Sequence, residues 1–257
     1  MGDKNRIRFL GVPVDRVDGQ TAMGVFRELM ETEGCSLIVT PNSEIVINAS
    51  KDPELKSIIE QADLVIPDGI GLVYASKIMG VLLSERVTGI DFLTSILGYL
   101  EETGRSVFLL GSRPGEGGAP GIAELAAEKM KEKHKRLVIA GAHHGYFKAE
   151  DEEEVVRRIN ESGADFLVVA LGSPKQEKFI HRHRDKLAVK GAIGVGGSLD
   201  VWAGALKRAP EFYRRHGLEW LYRLIQQPSR YKRMAALPLF MIKIIVSRFR
   251  GGEQYGK

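Results

Sequence analysis

The sequence predicts an α/β fold in which a mostly parallel sheet carries helices on both faces, with a small N-terminal β-ribbon and a C-terminal helical appendage. Short β-branched runs recur at intervals that leave room for a helix between them, which predicts parallel strands joined by right-handed helical crossovers. The runs are nearly all apolar rather than alternating, as expected when helices cover both faces of a sheet. At 257 residues and 44% hydrophobic composition, the chain can bury one large core or two small ones.

The β-ribbon is predicted at residues 8–14, an extended segment interrupted by Gly11. The runs predicted to form the sheet strands are 37–40, 64–67, 107–110, 137–140, 166–170 and 192–195. The amphipathic segments predicted to form helices are 21–31, 53–61, 71–79, 92–102, 122–133, 150–161 and 174–183. Asp18 or Thr21 can start the first helix and Asp91 the fourth. Strands and helices in this order predict a Rossmann-like sheet.

The character of the chain changes after Pro210. The following stretch is helical in pattern, basic and aromatic, and it is interrupted by Pro228 and Pro238. We therefore predict an α/β domain over residues 1–210 and a basic amphipathic appendage over 211–257. Its apolar stripe is formed by Leu218, Leu221, Tyr222 and Ile225.

Charge is distributed unevenly along the chain. Residues 207–257 hold 12 Lys and Arg against three Glu, a net charge of +9, whereas residues 1–206 carry −5. A basic tail on an acidic body indicates an anionic partner, and composition alone leaves both a lipid surface and a nucleic acid open.

Several features bear on cellular location. Cys35 is the single cysteine, so no internal disulfide can form and a reducing compartment is predicted. Residues 1–8 are polar and contain no apolar core of a secretory signal. The longest apolar run, 237–246, contains Pro238 and Lys243 and is too short to cross a bilayer. We therefore predict a cytoplasmic protein without a membrane span.

Polar groups and glycines follow all six predicted strands. The carboxyl ends of parallel strands open on one crevice, where α/β proteins bind ligands. Glycines before a helix allow backbone N–H groups to approach a diphosphate closely, and the segments of this kind are Gly111-Ser112, Gly172-Ser173 and Gly196-Gly197-Ser198. None matches a P-loop or a complete dinucleotide fingerprint, and tight turns are the ordinary alternative for each.

Asp68 and Arg86 are the candidate catalytic side chains. Asp68 directly follows a buried strand and precedes Gly69, where a helix is expected to begin. It could serve as a general base or simply as the N-cap of that helix. Arg86 could bind a phosphate with two hydrogen bonds, and its alternative is a surface salt bridge with Glu85 or Asp91.

The sequence favours chemistry without a metal. His181 and His183 are two residues apart and His143 and His144 are adjacent, so neither pair has zinc-type spacing. No Asp-x-Asp pair is present to hold a divalent ion against a nucleotide diphosphate. The absence of a Gly-x-Ser-x-Gly motif argues against a serine hydrolase.

These strand-end motifs resemble those of the WecG/TagA/CpsF glycosyltransferases, glycosyltransferase family 26. In chain order the matching segments are Thr40-Pro41-Asn42 with Glu44, Pro67-Asp68-Gly69, Glu85-Arg86-Val87-Thr88-Gly89 with Asp91, His144-Gly145-Tyr146-Phe147, Gly172-Ser173-Pro174-Lys175-Gln176-Glu177 and Gly194-Val195-Gly196-Gly197-Ser198-Leu199-Asp200. Arg208-Ala209-Pro210, the segment 217–224 and the segment 228–233 complete the set. The resemblance extends from about residue 9 to residue 233.

The resemblance implies an inverting, metal-independent transfer of N-acetylmannosamine from its UDP conjugate to undecaprenyl-diphosphate-linked N-acetylglucosamine, in wall teichoic acid synthesis. No cofactor is implied. Asp68 resembles the base that deprotonates the acceptor 4-hydroxyl, and Arg86 a pocket or phosphate contact. The residues expected at the substrates are Thr40, Asn42, Gln176, Arg223, Arg230 and Arg233. Those expected at the nucleotide are Gly111, Ser112, Tyr146, Gly172, Gly196, Gly197 and Asp200.

Some features stay open at this point. The glycine-rich segment 114–120 is longer than the resemblance leads us to expect. Relatives in this family are thought to use a uronic acid or a plain hexose donor, so another UDP-sugar is the alternative. A nucleic-acid-binding protein that uses the +9 tail is the alternative of a different class, and the lack of any such motif in the body argues against it. The expected partners are a UDP-sugar, a polyprenyl-diphosphate-linked sugar and the inner, anionic membrane surface, and a homo-oligomer is left open.

Overall fold

The computed structural model describes residues 5–83 and 86–249, except for the side chains of Arg230 and Lys232. The strands are β1 (Arg6–Phe9), β2 (Val12–Asp15), β3 (Ser36–Val39), β4 (Leu64–Val65), β5 (Ser106–Gly111), β6 (Val138–His143), β7 (Phe166–Ala170) and β8 (Gly191–Gly194). The helices are α1 (Gly19–Leu29), α2 (Ser43–Ala49), α3 (Pro53–Gln61), α4 (Ile70–Met79), α5 (Gly89–Thr103), α6 (Ile122–Lys133), α7 (Glu152–Glu161), α8 (Lys175–His183), α9 (Ser198–Trp202), α10 (Glu211–Arg215), α11 (Glu219–Gln226), α12 (Tyr231–Met234) and α13 (Ala236–Phe249). Short 3₁₀ turns occur at Ala149–Asp151 and Pro228–Arg230.

The described strands form two sheets. β1 and β2 pair antiparallel, and six strands form a parallel sheet in the order β4-β3-β8-β7-β5-β6. The predicted α/β class, the parallel sheet and the N-terminal ribbon are therefore confirmed. Because all six strands run in one direction, their carboxyl ends lie along a single edge of the sheet.

Apolar side chains cover both faces of the sheet. On β3, Leu37 and Val39 belong to one buried cluster, which also includes side chains of α3, α7 and α8. Ile38, between them, belongs to a second cluster that includes Phe26 of α1 and Phe92 of α5. Successive residues of a strand point to opposite faces, so a fully apolar strand needs a helical layer on each side, as predicted.

The helices differ from prediction in several places. The prediction that Asp91 starts the fourth predicted helix is wrong, because α5 begins at Gly89 with Thr88 as its N-cap, and α9 was not among the predicted helices. α2 was not predicted, because seven residues are too few to display a helical period; Asn42 starts it by accepting a hydrogen bond from Ile45 N–H. The prediction that Gly111-Ser112 adjoins a helix N-terminus is wrong, since α6 begins only at Ile122. The intervening loop includes the glycine-rich segment, whose turn is closed by a hydrogen bond from Ala119 N–H to Glu116 O.

The helical C-terminal region contacts the body of the protein. α13 packs against α2 and α4, and Phe240 and Ile244 are fully buried in the same cluster as β1 and β2. The ring centroid of Phe240 lies 6.2 Å from that of Phe9. The boundary at residue 210 stays a prediction, and residues 250–257 of the predicted appendage lie outside the described part of the chain.

The predicted apolar stripe lies on and beside α11. Leu218, Leu221 and Tyr222 are half-buried, and Ile225 is exposed. The Tyr213 ring lies 5.2 Å from the Tyr222 ring, measured between centroids. Across residues 5–83 and 86–249, none of the helices combines the length and the apolar composition required to cross a bilayer.

Candidate active site

A cavity of about 600 Å³ lies between the carboxyl ends of the sheet strands and helices α11 to α13. Every strand of the parallel sheet contributes to it through the loop that follows the strand. The residues predicted from the sequence that line it are Thr40, Asn42, Asp68, Arg86, Ser112, Tyr146, Gly172, Gln176, Gly196, Gly197, Asp200, Arg223 and Arg233. The expected common crevice therefore exists, while the role of each side chain in it stays a prediction.

Two predicted site residues are not among those that line the cavity. Gly111 ends β5 with a φ of 139°, and a Cβ there would lie 2.5 Å from the carbonyl carbon of Ala170. Glycine is therefore needed for the close approach of β5 to β7, and the adjacent Ser112 reaches the cavity instead. The side chain of Arg230 lies outside the part of the chain that the structure describes.

Asp68 faces the cavity and does not cap α4, the helix that follows it. Its backbone N–H donates to Pro41 O at 3.0 Å, which fixes it at the end of β4. α4 begins at Ile70, its N-cap is Gly69, and no side chain caps it. The N-cap alternative for Asp68 is therefore wrong.

The surroundings of Asp68 have opposing effects on its charge. Burial raises the pKa of this carboxyl above its ordinary value, while the Arg86 and Arg223 guanidiniums and a hydrogen bond from Gly89 N–H oppose that rise. A carboxylate with a raised pKa beside cations is equipped to accept a proton from a bound ligand.

The backbone lies close to the side chains around Asp68 at Gly69 and at Gly89. Gly69 has a φ of 99°, a region that favours glycine, and a Cβ there would lie 3.3 Å from Asn42 Cβ. A Cβ on Gly89 would lie 3.5 Å from Thr40 Oγ1 and 3.6 Å from Asp68 Oδ2. The N-terminus of α5 thus lies directly against the Thr40 and Asp68 side chains.

Thr40 and Asn42 hold the end of β3 in place while lining the cavity. The buried Thr40 hydroxyl donates to Gly194 O at 3.0 Å, which joins the ends of β3 and β8. Asn42 Oδ1 accepts from Ile45 N–H at 3.1 Å. Its Nδ2 group is not needed for that cap, so Asn42 can start a helix and contact a ligand at once.

Arg86 forms its ion pair with an unexpected partner. Both side chains of the Arg86–Glu219 pair are largely buried, and Glu219 opens α11. The alternative of a salt bridge with Asp91 is not found: Asp91 accepts from Arg208 at 2.5 Å. The other alternative, Glu85, lies outside the described residues. The Arg86–Glu219 ion pair therefore ties α11, in the C-terminal region, to Arg86 at the cavity.

The other C-terminal arginines also face this cavity. Arg223 of α11 lines it and acts electrostatically on both Asp68 and Arg86. Arg233 of α12 donates through Nε to Glu44 Oε1 at 2.6 Å, which ties α12 to α2. The cavity therefore combines Asp68, the predicted base, with guanidinium groups suited to phosphate.

The loops after β5, β7 and β8 form the other half of the cavity. The Ser112 hydroxyl donates to Asp200 Oδ2 at 3.2 Å, and Ser112 has a φ of 58°. Gly172 and Gly196, with φ values of 76° and 51°, also line this part of the cavity. Tyr146, with 66% of its surface exposed, lies at the rim. These groups could meet a base, a ribose and phosphate oxygens.

No cluster of three or more His, Cys, Asp and Glu side chains suited to a metal ion is found within residues 5–83 and 86–249. Metal independence stays a prediction that an assay must test.

Sequence reasoning missed several residues that line the cavity. They are Ser43, Glu44, Arg113, Leu206, Glu219, Trp220, Gln227, Met234 and Leu237. Glu44, Glu219 and Trp220 belong to the segments that resemble the glycosyltransferase family, but no role is predicted for them from the sequence. Only packing of α11 to α13 over the strand ends brings the last five to the cavity.

Comparison with known proteins agrees with this geometry. Residues 7–254 match the Glycosyl transferase WecG/TagA/CpsF family. A Bacillus spizizenii protein named N-acetylglucosaminyldiphosphoundecaprenol N-acetyl-beta-D-mannosaminyltransferase is 38% identical over 82% of this chain and 79% of its own length. Proteins of the same name from Bacillus subtilis and Staphylococcus aureus strain MRSA252 are 34% and 38% identical, over 82% and 80% of this chain and 79% and 78% of their own lengths. The chain belongs to the WecG/TagA/CpsF family of glycosyltransferases.

Proposed function

We propose that this enzyme transfers N-acetylmannosamine from its UDP conjugate to N-acetylglucosamine linked through diphosphate to undecaprenol, with inversion at the anomeric carbon. The observation that carries the proposal is the position of Asp68, in a cavity beside Arg86 and Arg223. The names of the relatives support the same acceptor and the same transferred sugar. The reaction would commit the lipid to wall teichoic acid synthesis.

The proposed step balances as one displacement. The Asp68 carboxylate takes the proton of the acceptor 4-hydroxyl, whose oxygen attacks the anomeric carbon of the donor. The bond from that carbon to the diphosphate oxygen breaks, and UDP leaves with the bonding electrons. Attack from the side opposite the leaving group inverts the configuration. Arg86, Arg223 and Arg233 would offset the negative charge of the diphosphates.

The remaining parts of the site suit the two substrates. Ser112, Tyr146, Gly172, Gly196, Gly197 and Asp200 are proposed to hold the nucleotide. Thr40, Asn42 and Gln176, together with the Arg230 predicted from sequence, are proposed to hold the sugars or the lipid diphosphate. No metal or other cofactor is assigned a step.

The test is a transfer assay on a short-chain lipid-diphosphate N-acetylglucosamine. The donors are UDP-N-acetylmannosamine, UDP-N-acetylglucosamine, UDP-N-acetylmannosaminuronic acid and UDP-glucose, each with and without EDTA. We expect only the first to react, EDTA to have no effect, and NMR of the product to give a β linkage from an α-linked donor. Turnover of the uronic acid alone would contradict the proposed donor, and activity that returned only with added Mg²⁺ would contradict metal independence.

The same assay separates the nucleic-acid alternative. Salt-sensitive binding of an oligonucleotide, with no binding of any UDP-sugar, would favour that class instead.

We further propose that the enzyme acts at the inner membrane surface, through the outer face of α13. The inner face of this helix buries Phe240 and Ile244, whereas the exposed apolar side chains on it are Leu239, Ile242, Ile245, Val246 and Phe249. Lys243 and Arg248 accompany them on the same helix. A helix whose outward side is apolar with flanking cations suits an anionic lipid surface, where each basic residue contributes about 1 kcal/mol.

The position of α13 supports this assignment. Leu237, near its start, lines the cavity, so the exposed apolar face continues away from the place where a lipid-linked sugar must react. Because Phe240 and Ile244 belong to the main core, full-length surface variants test the idea more cleanly than truncation after Pro210.

The membrane experiment compares two exposed apolar residues of α13 with one exposed apolar residue elsewhere. Ile242→Ser with Val246→Ser should abolish sedimentation with anionic vesicles and spare UDP binding. Val138→Ser is the matched control, since Val138 is exposed on β6 at the opposite edge of the sheet. Undiminished sedimentation of the double variant would exclude α13 as the docking surface.

A further inference from the structure

The side-chain amide of Gln176 is held in one orientation at the floor of the cavity. Its Oε1 accepts from Gly196 N–H at 3.0 Å, and its Nε2 donates to Glu177 Oε1 at 2.8 Å. A backbone N–H can only donate, so the atom that faces Gly196 must be the amide oxygen. The NH₂ group of Gln176 is consequently directed to Glu177.

Gly194, at the end of β8, packs directly against the same amide. A Cβ on Gly194 would lie 2.5 Å from Gln176 Nε2 and 2.9 Å from Cδ, so only glycine leaves room for the amide there. Gln176 is 2% exposed and still lines the cavity. One hydrogen of Nε2 is used by Glu177, and the second remains for a ligand.

Glu177 is unusual for a carboxyl group in a protein core. It is 1% exposed, and within the described part of the chain no Lys or Arg side chain pairs with it. Burial raises its pKa, and hydrogen bonds from the Gln176 amide, from its own backbone N–H and from the Ser173 hydroxyl oppose that rise. Burying such a group is unfavourable, so its position beside the cavity suggests a functional role.

We infer that Glu177 is a positioning residue, which fixes Gln176 so that the amide presents an N–H donor to the bound substrate. The ligand atom that meets Gln176 is then a hydrogen-bond acceptor, such as a hydroxyl, acetamido or phosphate oxygen. This role rests on the sugar transfer proposed for the cavity. Glu177 itself is not among the residues that line the cavity, so it acts through Gln176.

The experiment compares two substitutions of similar shape. Gln at position 177 can still accept the Gln176 N–H, whereas Met cannot. We expect Glu177→Gln to keep transfer close to that of the unaltered enzyme, and Glu177→Met to lower kcat/KM by roughly 10- to 100-fold, the order of loss that follows a misplaced contact group. Glu152→Met is the control. Glu152 lies on α7 and accepts from His183, which is on α8 together with Glu177. Glu152 does not line the cavity.

A double-mutant cycle separates positioning from a general structural role. If Glu177 acts through Gln176, adding Glu177→Met to Gln176→Ala should cause no further loss. Additive losses would overturn the inference, as would equal activity of the Gln and Met variants.

A readout that needs no activity completes the test. The ¹⁵N–¹H signals of the Gln176 NH₂ group, assigned by their loss in Gln176→Ala, should be preserved in Glu177→Gln and displaced in Glu177→Met. Unchanged signals in the Met variant would overturn the positioning role. Failure of the proposed function would instead appear as absent transfer by the unaltered enzyme with these signals behaving as expected.

Discussion

At the scale of single residues, Asp68 decides how the cavity is interpreted. An aspartate between a strand and a helix is ordinarily an N-cap, and local sequence cannot distinguish a cap from a base. Here Gly69 takes the cap position without a side-chain bond, and the Asp68 carboxylate instead interacts with Arg86, Arg223 and the Gly89 N–H.

Asp68→Asn should preserve the fold and UDP binding while lowering turnover by about 10²- to 10⁴-fold, the usual contribution of a general base. Asp52→Asn is the control: Asp52 caps α3 away from the cavity, and asparagine caps equally well. Near-normal turnover of Asp68→Asn in a single-turnover assay would remove Asp68 from the mechanism.

The pH dependence of turnover follows from the raised pKa of Asp68. The carboxyl group must be deprotonated to act as a base, so activity is lost as the pH falls through its pKa. Because that pKa lies above its ordinary value, about 3.9, the acidic limb of the kcat profile should begin at a higher pH than for an unperturbed aspartate. A rate that stayed constant down to pH 4 in a folded enzyme would contradict this assignment.

At the scale of elements, ion pairs and close packing hold the C-terminal helices against the residues around the cavity. Glu219 joins α11 to Arg86, and Arg233 joins α12 to Glu44. Gly217, with a φ of 69°, lies against Ile70, where a Cβ would come within 2.7 Å of Ile70 Cγ1. The Glu219 carboxylate thus pairs with the guanidinium that we propose to bind a substrate phosphate.

Glu219→Gln should therefore strengthen UDP binding. Because the Glu219 carboxylate no longer competes for Arg86, we expect roughly fivefold tighter binding by calorimetry, which corresponds to about 1 kcal/mol. Glu211→Gln is the matched control, since Glu211 pairs with Arg215 on the exposed α10. Unchanged or weaker UDP affinity in Glu219→Gln would show that Arg86 does not meet the nucleotide.

At the scale of the whole molecule, the last described helix contributes to the main core. Phe240 is fully buried and lies against Phe9 of β1, and α13 covers α2 and α4. Helix α13 therefore contacts both the N-terminal ribbon and, through Leu237, the cavity. The stability of α13 is consequently coupled to that of the sheet.

Phe240→Ala should lower the free energy of unfolding by about 3 to 5 kcal/mol, the cost of removing a buried aromatic ring. Phe249→Ala is the control, because Phe249 is 83% exposed and should change stability by no more than about 0.5 kcal/mol. Urea unfolding measures both. Equal stability of the two variants would mean that α13 is not docked on the body in solution, as a separate appendage would require.

The sequence by itself determined the class of the fold, the strand positions and the edge of the sheet that carries the chemistry. Helices 53–61 and 122–133 and strand 166–170 agree with the structure at both ends, because apolar periodicity and capping act over a few residues. The strand-end residues could be named for the same reason: a polar residue directly after a buried strand must lie at the carboxyl edge.

Tertiary packing alone decided the strand order, the Arg86–Glu219 pair, the hydrogen bonds that orient the Gln176 amide and the burial of Phe240. Each joins groups on different elements, and the free energy of such contacts depends on shape and charge after the elements have packed. α2 was missed because it is stabilised by one cap and by its buried face rather than by a readable period. The chain thus encodes its elements locally, whereas its active site is assembled by long-range contacts that no short window contains.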